Sequence, residues 1–78
     1  MKTVEYLGKV FNVRHGGPFD RGSADSWYNR GINPHYFEGK TYFSRRFDIH
    51  EMTQEQVAEY LAGYQYNEEF GGKKNIEI

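Results

Sequence analysis

At 78 residues the chain has the length of one small domain, and its hydrophobic fraction of 37% is weighted toward 14 aromatic rings, with only ten Val, Ile or Leu side chains. It has no cysteine, which excludes disulfides and thiolate chemistry, and neither an apolar run near 18 residues nor a charged-then-apolar leader, so a soluble cytoplasmic protein without a membrane span is expected. Ten basic against eleven acidic side chains exclude a uniformly basic nucleic-acid binder, yet residues 1–46 hold eight Lys or Arg against four Asp or Glu, and residues 47–78 two against seven.

Residues 2–13 have a β-rich composition. Val4 and Tyr6 share one parity, whereas Phe11 and Val13 share the other, so a bend at Gly8 is needed to put all four on one face. This predicts one bent strand or two short ones. Gly16-Gly17-Pro18 then breaks the chain. Asp20 as N-cap, a Phe19–Ala24 staple, and Ala24, Trp27, Tyr28 and Gly31 on one face predict a helix near 21–30, stopped by Gly31 and Pro34.

Two aromatic runs around Glu38-Gly39-Lys40 predict a hairpin over 35–47 with a loop of two or three residues, Phe43 and Phe47 facing the core. The last helix, near 54–70, carries agreeing signals. Thr53 and Gln56 form a capping box, Met52 and Val57 a staple, and Val57, Tyr60, Leu61 and Tyr64 one apolar face. Gly71-Gly72 stops it and Lys73-Lys74 complements its negative end. The expected fold is α+β, a small, mainly antiparallel sheet with two helices in the order β-α-β-β-α. Residues 1–72 form the single domain and 73–78 a short C-terminal tail. Trp27 and Tyr64 are expected to join the two helices in one core.

Catalytic spacing is missing from the sequence. His15, His35, His50, Asp48 and Glu51 have no metal-ligand pattern, and Ser23, Ser26 and Ser44 sit in no nucleophile elbow. Neither glycine pair continues into a phosphate loop. No metal, no cofactor and no enzymatic activity are therefore expected. Binding is favoured instead, because a domain this small cannot hide 14 rings, and tyrosine tolerates both burial and water. Tyr28, Tyr36, Tyr42 and Tyr66 are the partner-binding candidates. Lys40, Arg45 and Arg46, beside Tyr36 and Tyr42, are the candidates for holding nucleic acid, since arginines next to stacking rings suit phosphates and bases.

Two resemblances bear on this. Tyr60-Leu61-Ala62-Gly63-Tyr64, with Ala24, Arg30, Pro34 and Tyr36 upstream, resembles segments of the ribosome modulation factor family and implies ribosome binding. The run from Asp20 to Arg30, then Asn33-Pro34-His35-Tyr36, Ala62-Gly63-Tyr64 and Asn67-Glu68, resembles small uncharacterised bacteriophage proteins and implies a short chain that redirects host machinery. Read physically, Asp20 caps a helix, Gly22 and Ala24 allow close approach to a sheet, and Arg21 or Arg30 pairs with Asp25. The function expected is a small non-catalytic, phage-type binding protein that engages a host protein through an aromatic-rich surface in the bacterial cytoplasm. The alternative is an RNA- or ribosome-binding regulator using the basic-aromatic hairpin. Homo-oligomer formation stays open.

Overall fold

Leu7 and Gly8 both take positive φ, 54° and 77°, which is the geometry of a two-residue hairpin turn. In the computed structural model, described over residues 2–74, this turn joins β1 (Thr3–Tyr6) to β2 (Lys9–Asn12). The antiparallel register sets Val4 opposite Phe11 and Tyr6 opposite Lys9, so Val4, Tyr6, Phe11 and Val13 reach one face. The two parities of the sequence are reconciled by the turn, and the segment forms two short strands.

Helix α1 spans Pro18–Trp27. It starts three residues earlier than the 21–30 prediction because Pro18, which needs no hydrogen-bond acceptor, fills the first turn. Asp20 is not the N-cap. It lies inside the first turn and accepts a hydrogen bond from Gly16 N at 2.9 Å. Phe19 is likewise inside the helix and buried, so it forms no staple with Ala24. The C-terminal stop is Asn29 rather than Gly31. At φ 58° its N–H bonds to the Ser26 carbonyl and that of Arg30 to the Asp25 carbonyl, a Schellman pairing.

Strands β3 (His35–Phe37) and β4 (Arg46–Asp48) pair antiparallel, with His35 opposite Asp48 and Phe37 opposite Arg46. Their loop is eight residues long, from 38 to 45, and not the two or three expected. Lys40–Phe43 turns on itself, and Ser44 Oγ accepts from Gly39 N at 2.8 Å while donating to the Lys40 carbonyl. Phe43 consequently points away from the core, at 87% exposure, which corrects its assignment as a core residue. The two hairpins are separate two-stranded sheets, so the fold is α+β with its sheet divided.

Helix α2 (Gln54–Tyr66) begins at the predicted capping box: Gln56 N donates to Thr53 Oγ1 at 3.1 Å, and Thr53 N to the Gln56 side chain at 2.9 Å. A wider π-type turn, Asn67–Gly71, continues it. The buried line runs through Tyr60, Gly63 and Asn67, whereas Leu61 of the predicted face is exposed.

Glycine explains that rotation. A Cβ on Gly22 would fall on the Tyr60 carbonyl oxygen, and one on Gly63 would fall on that of Phe19, so α1 and α2 cross with backbone against backbone. The close approach anticipated for Gly22 is made to a helix and not to a sheet. Hairpin β1–β2 closes one side of the crossing, where Tyr6, Phe11 and Phe19 form the apolar core with Val4, Val13, Ala62 and Tyr66 around them. Trp27 is 38% exposed and does not join a shared core with Tyr64, because α1 buries its Phe19, Gly22, Asp25 and Ser26 side.

The C-terminal segment folds back on α1. Lys73 Nζ donates to the Ser26 carbonyl at 3.0 Å, Lys74 N donates to the Trp27 carbonyl at 2.7 Å, and Asn67 Nδ2 donates to Ser26 Oγ at 2.9 Å. Lys73 and Lys74, the first residues of the expected C-terminal tail, thus contact α1; 75–78 lie outside the described residues. Lys73 and Ser26 both hydrogen-bond Glu68 and hold its carboxyl below the usual range.

Candidate functional site

The other side of the helix crossing is polar, and sequence patterning did not find it. Tyr60 of α2 is fully buried; its hydroxyl donates to Asp25 Oδ2 and accepts from Asn33 N at 3.0 Å. Burial, then the bond to Asp25, push that hydroxyl's pKa up. Arg30 Nη1 pairs with Asp25 Oδ1 at 3.2 Å. Of the two arginines considered as partners of Asp25, Arg30 takes the role.

Arg21 turns instead to His35, its Nε donating to His35 Nε2 at 3.2 Å. His35 Nδ1 lies 2.7 Å from the Asn33 carbonyl. An arginine Nε–H can only donate and a carbonyl can only accept, so the imidazole must be neutral with its proton on Nδ1. Burial, the main cause, holds the His35 pKa below its ordinary value of 6.5, and the cationic Arg46 and Arg21 act in the same sense. The backbone acceptor at Asn33 and the carboxylate of Asp25 oppose the shift.

A hollow of about 240 Å³ opens beside this network, lined by Arg21, Asp25, Arg30, Asn33, His35, Tyr42 and Arg46. Two larger hollows of about 420 Å³ lie along β1–β2, one against Phe19 and one against Phe70; both are mainly apolar and shallow. Among the described residues no group of three or more His, Cys, Asp or Glu converges in a metal-binding arrangement.

The four candidate tyrosines do not share a patch. Tyr66 packs into the core against Tyr6 and Phe19, with ring centroids 5.3 and 5.6 Å away. Tyr28, just past the end of α1, has the cations of Arg30 and Lys74 4.6 and 5.2 Å from its ring. Tyr36 stacks flat on Phe47 at 4.8 Å on one face of the β3–β4 hairpin. Tyr42 meets Phe37 on the other face, at 5.4 Å, and is 70% exposed.

The three basic candidates differ in their engagement. Arg45 pairs with Glu51 at 2.6 Å and lies 4.2 Å over the Phe47 ring. Arg46 pairs with Asp48 at 2.8 Å and, chiefly by that hydrogen bond, holds the Asp48 carboxyl below its usual range. Lys40 is exposed on the loop.

What the sequence did not show is the burial of polar side chains, Arg21, Asp25, His35 and Asn67 among them. Hydropathy places such side chains outside. The available signal was the shortage of aliphatic residues, which leaves little but rings and polar groups to fill the space between two helices.

Comparison with known proteins adds no relative: the chain matches no protein-family model, no curated protein and no solved structure. Among the described residues no helix is long and apolar enough to cross a membrane.

Proposed function

We propose that this protein is a small non-catalytic binding protein that engages a partner protein through the loop between β3 and β4, with Tyr42 and Phe43 as anchors. The observation that carries this reading is Phe43, 87% exposed beside Tyr42, 70% exposed, on a loop braced by its own hydrogen bonds. Tyr42 sits at φ 66°, in the left-handed region that favours glycine, so the backbone accepts strain to present the ring. Two adjacent exposed rings form an apolar patch of the kind found at interface centres. The resemblance of the segment from Asp20 to Arg30 to bacteriophage proteins supports a bacterial host protein as the partner and the host cytoplasm as its setting.

The RNA-binding alternative is less well supported. Arg45 is already held by Glu51 and by the Phe47 ring, and one face of Tyr36 is covered by Phe47, so phosphate and base would have to displace existing contacts.

The test is affinity capture from bacterial lysate with the wild-type chain, Phe43→Ser and Arg45→Gln, with and without nuclease. Capture that survives nuclease and is lost only in Phe43→Ser agrees with the proposal. Capture that needs nucleic acid, or that Phe43→Ser retains, overturns it.

A further inference from the structure

We propose that the hollow bounded by Arg21, Arg30 and Arg46 is a binding site for a small oxyanion, a carboxylate or phosphate group held by the three guanidinium groups. Arg21 is the central observation. It is only 5% exposed, yet no carboxylate among the described residues pairs with it, and its one hydrogen bond goes to a neutral imidazole. Its two Nη groups make no hydrogen bond with the described residues, and Arg21 lines the hollow. The rings of Phe37 and Tyr42, 5.7 and 5.8 Å from the guanidinium carbon, fix its position but offset only part of the charge.

A buried cation without a paired counter-ion is unfavourable, and no carboxylate among the described residues pairs with Arg21. Asp25 is the single carboxylate in the lining against three guanidinium groups. Both its oxygens are taken, Oδ1 by Arg30 and Oδ2 by Tyr60. Arg30 and Arg46 each spend one nitrogen, on Asp25 and on Asp48, and retain further donors. Donors that converge from α1, from the segment after it and from β4 around a space of about 240 Å³ match a compact anion with several acceptor oxygens. The site shares Tyr42 with the loop proposed to meet a partner protein, but it is tested with free anions, so the two readings fail separately.

The experiment titrates the full chain at pH 7 with inorganic phosphate and, in a second arm, with malonate, sodium chloride holding ionic strength constant. Melting temperature and the arginine Nε–H resonances are followed. A saturable rise in melting temperature in at least one arm, tracked by a shift of the Arg21 resonance, is the expected result. Response to phosphate alone assigns a phosphate group, to malonate alone a carboxylate, and to both an unselective oxyanion site. Arg30→Gln and Arg46→Gln should each weaken binding by about tenfold or more, the loss of one charge-assisted hydrogen bond. Arg46 is exposed at the sheet edge, so Arg46→Gln decides the matter even if Arg30→Gln unfolds by orphaning Asp25. A rise that is linear in concentration and identical in the variants is general salting-out and overturns the proposal, as does silence in both arms.

Discussion

Gly22 and Gly63 fit into each other's helix: each lies where a side chain would strike a carbonyl oxygen of the opposite backbone, Tyr60 for the first and Phe19 for the second. In an isolated helix Gly→Ala adds up to about 1 kcal/mol of stability. Here the sign should reverse. Gly22→Ala and Gly63→Ala are each expected to destabilise by roughly 1–3 kcal/mol through overpacking, read by urea denaturation. A variant more stable than wild type would show that the helices do not meet at these residues.

Tyr60→Phe should cost roughly 1.5–3 kcal/mol with little change in packing, because it removes a donor to Asp25 and an acceptor for Asn33 N in a buried site. Thermal and urea unfolding measure this. A neutral substitution would mean that the Asp25–Tyr60 contact contributes nothing to folding.

His35 gives a pH dependence with a definite sign. Its folded pKa lies below 6.5, so between that value and 6.5 the unfolded chain binds more protons than the folded one. Its contribution is complete above about pH 6.5 and is lost as the pH falls through the folded pKa. Denaturation at pH 7.5, 6.5 and 5.5 should show decreasing stability, and an NMR titration of the His35 ring should give a midpoint under 6.5. A midpoint at or above 6.5 contradicts the neutral Nδ1–H form.

Two large side chains of α1 should behave differently on truncation. Phe19 is buried in the core cluster and Phe19→Ala is expected to cost roughly 3–5 kcal/mol. Trp27 is exposed beyond a third of its surface, and Trp27→Ala should cost clearly less. Equal losses would place Trp27 in the core after all.

These contrasts show where the sequence could be read and where it could not. Helix α2 was legible because Thr53 and Gln56 cap it in a purely local way, and the β1–β2 turn because the parities of Val4 and Phe11 demand a bend. The face of α2 was legible at Tyr60 but not at Leu61, since Gly63 lets another backbone in and so draws the buried line away from it. The β3–β4 loop was misread because Tyr42 and Phe43 have strand-forming side chains, while Ser44 and Lys40 close a turn around them. Of the residues lining the hollow, Tyr42 and Arg46 are among the binding candidates named from the sequence, but Arg21, Asp25 and His35 meet only through the tertiary crossing.

The division of the sheet into two hairpins has a kinetic corollary. A two-stranded ribbon has no interior strand and is marginal in water without support, so each hairpin depends on the helix crossing for its persistence. Amide hydrogen exchange should therefore resolve into two tiers, with the slowest amides in α2 around Tyr60 and Gly63 and faster ones along both ladders. The helix pair would then be the last part of the molecule to open and, by the same contacts, the platform on which both ribbons assemble.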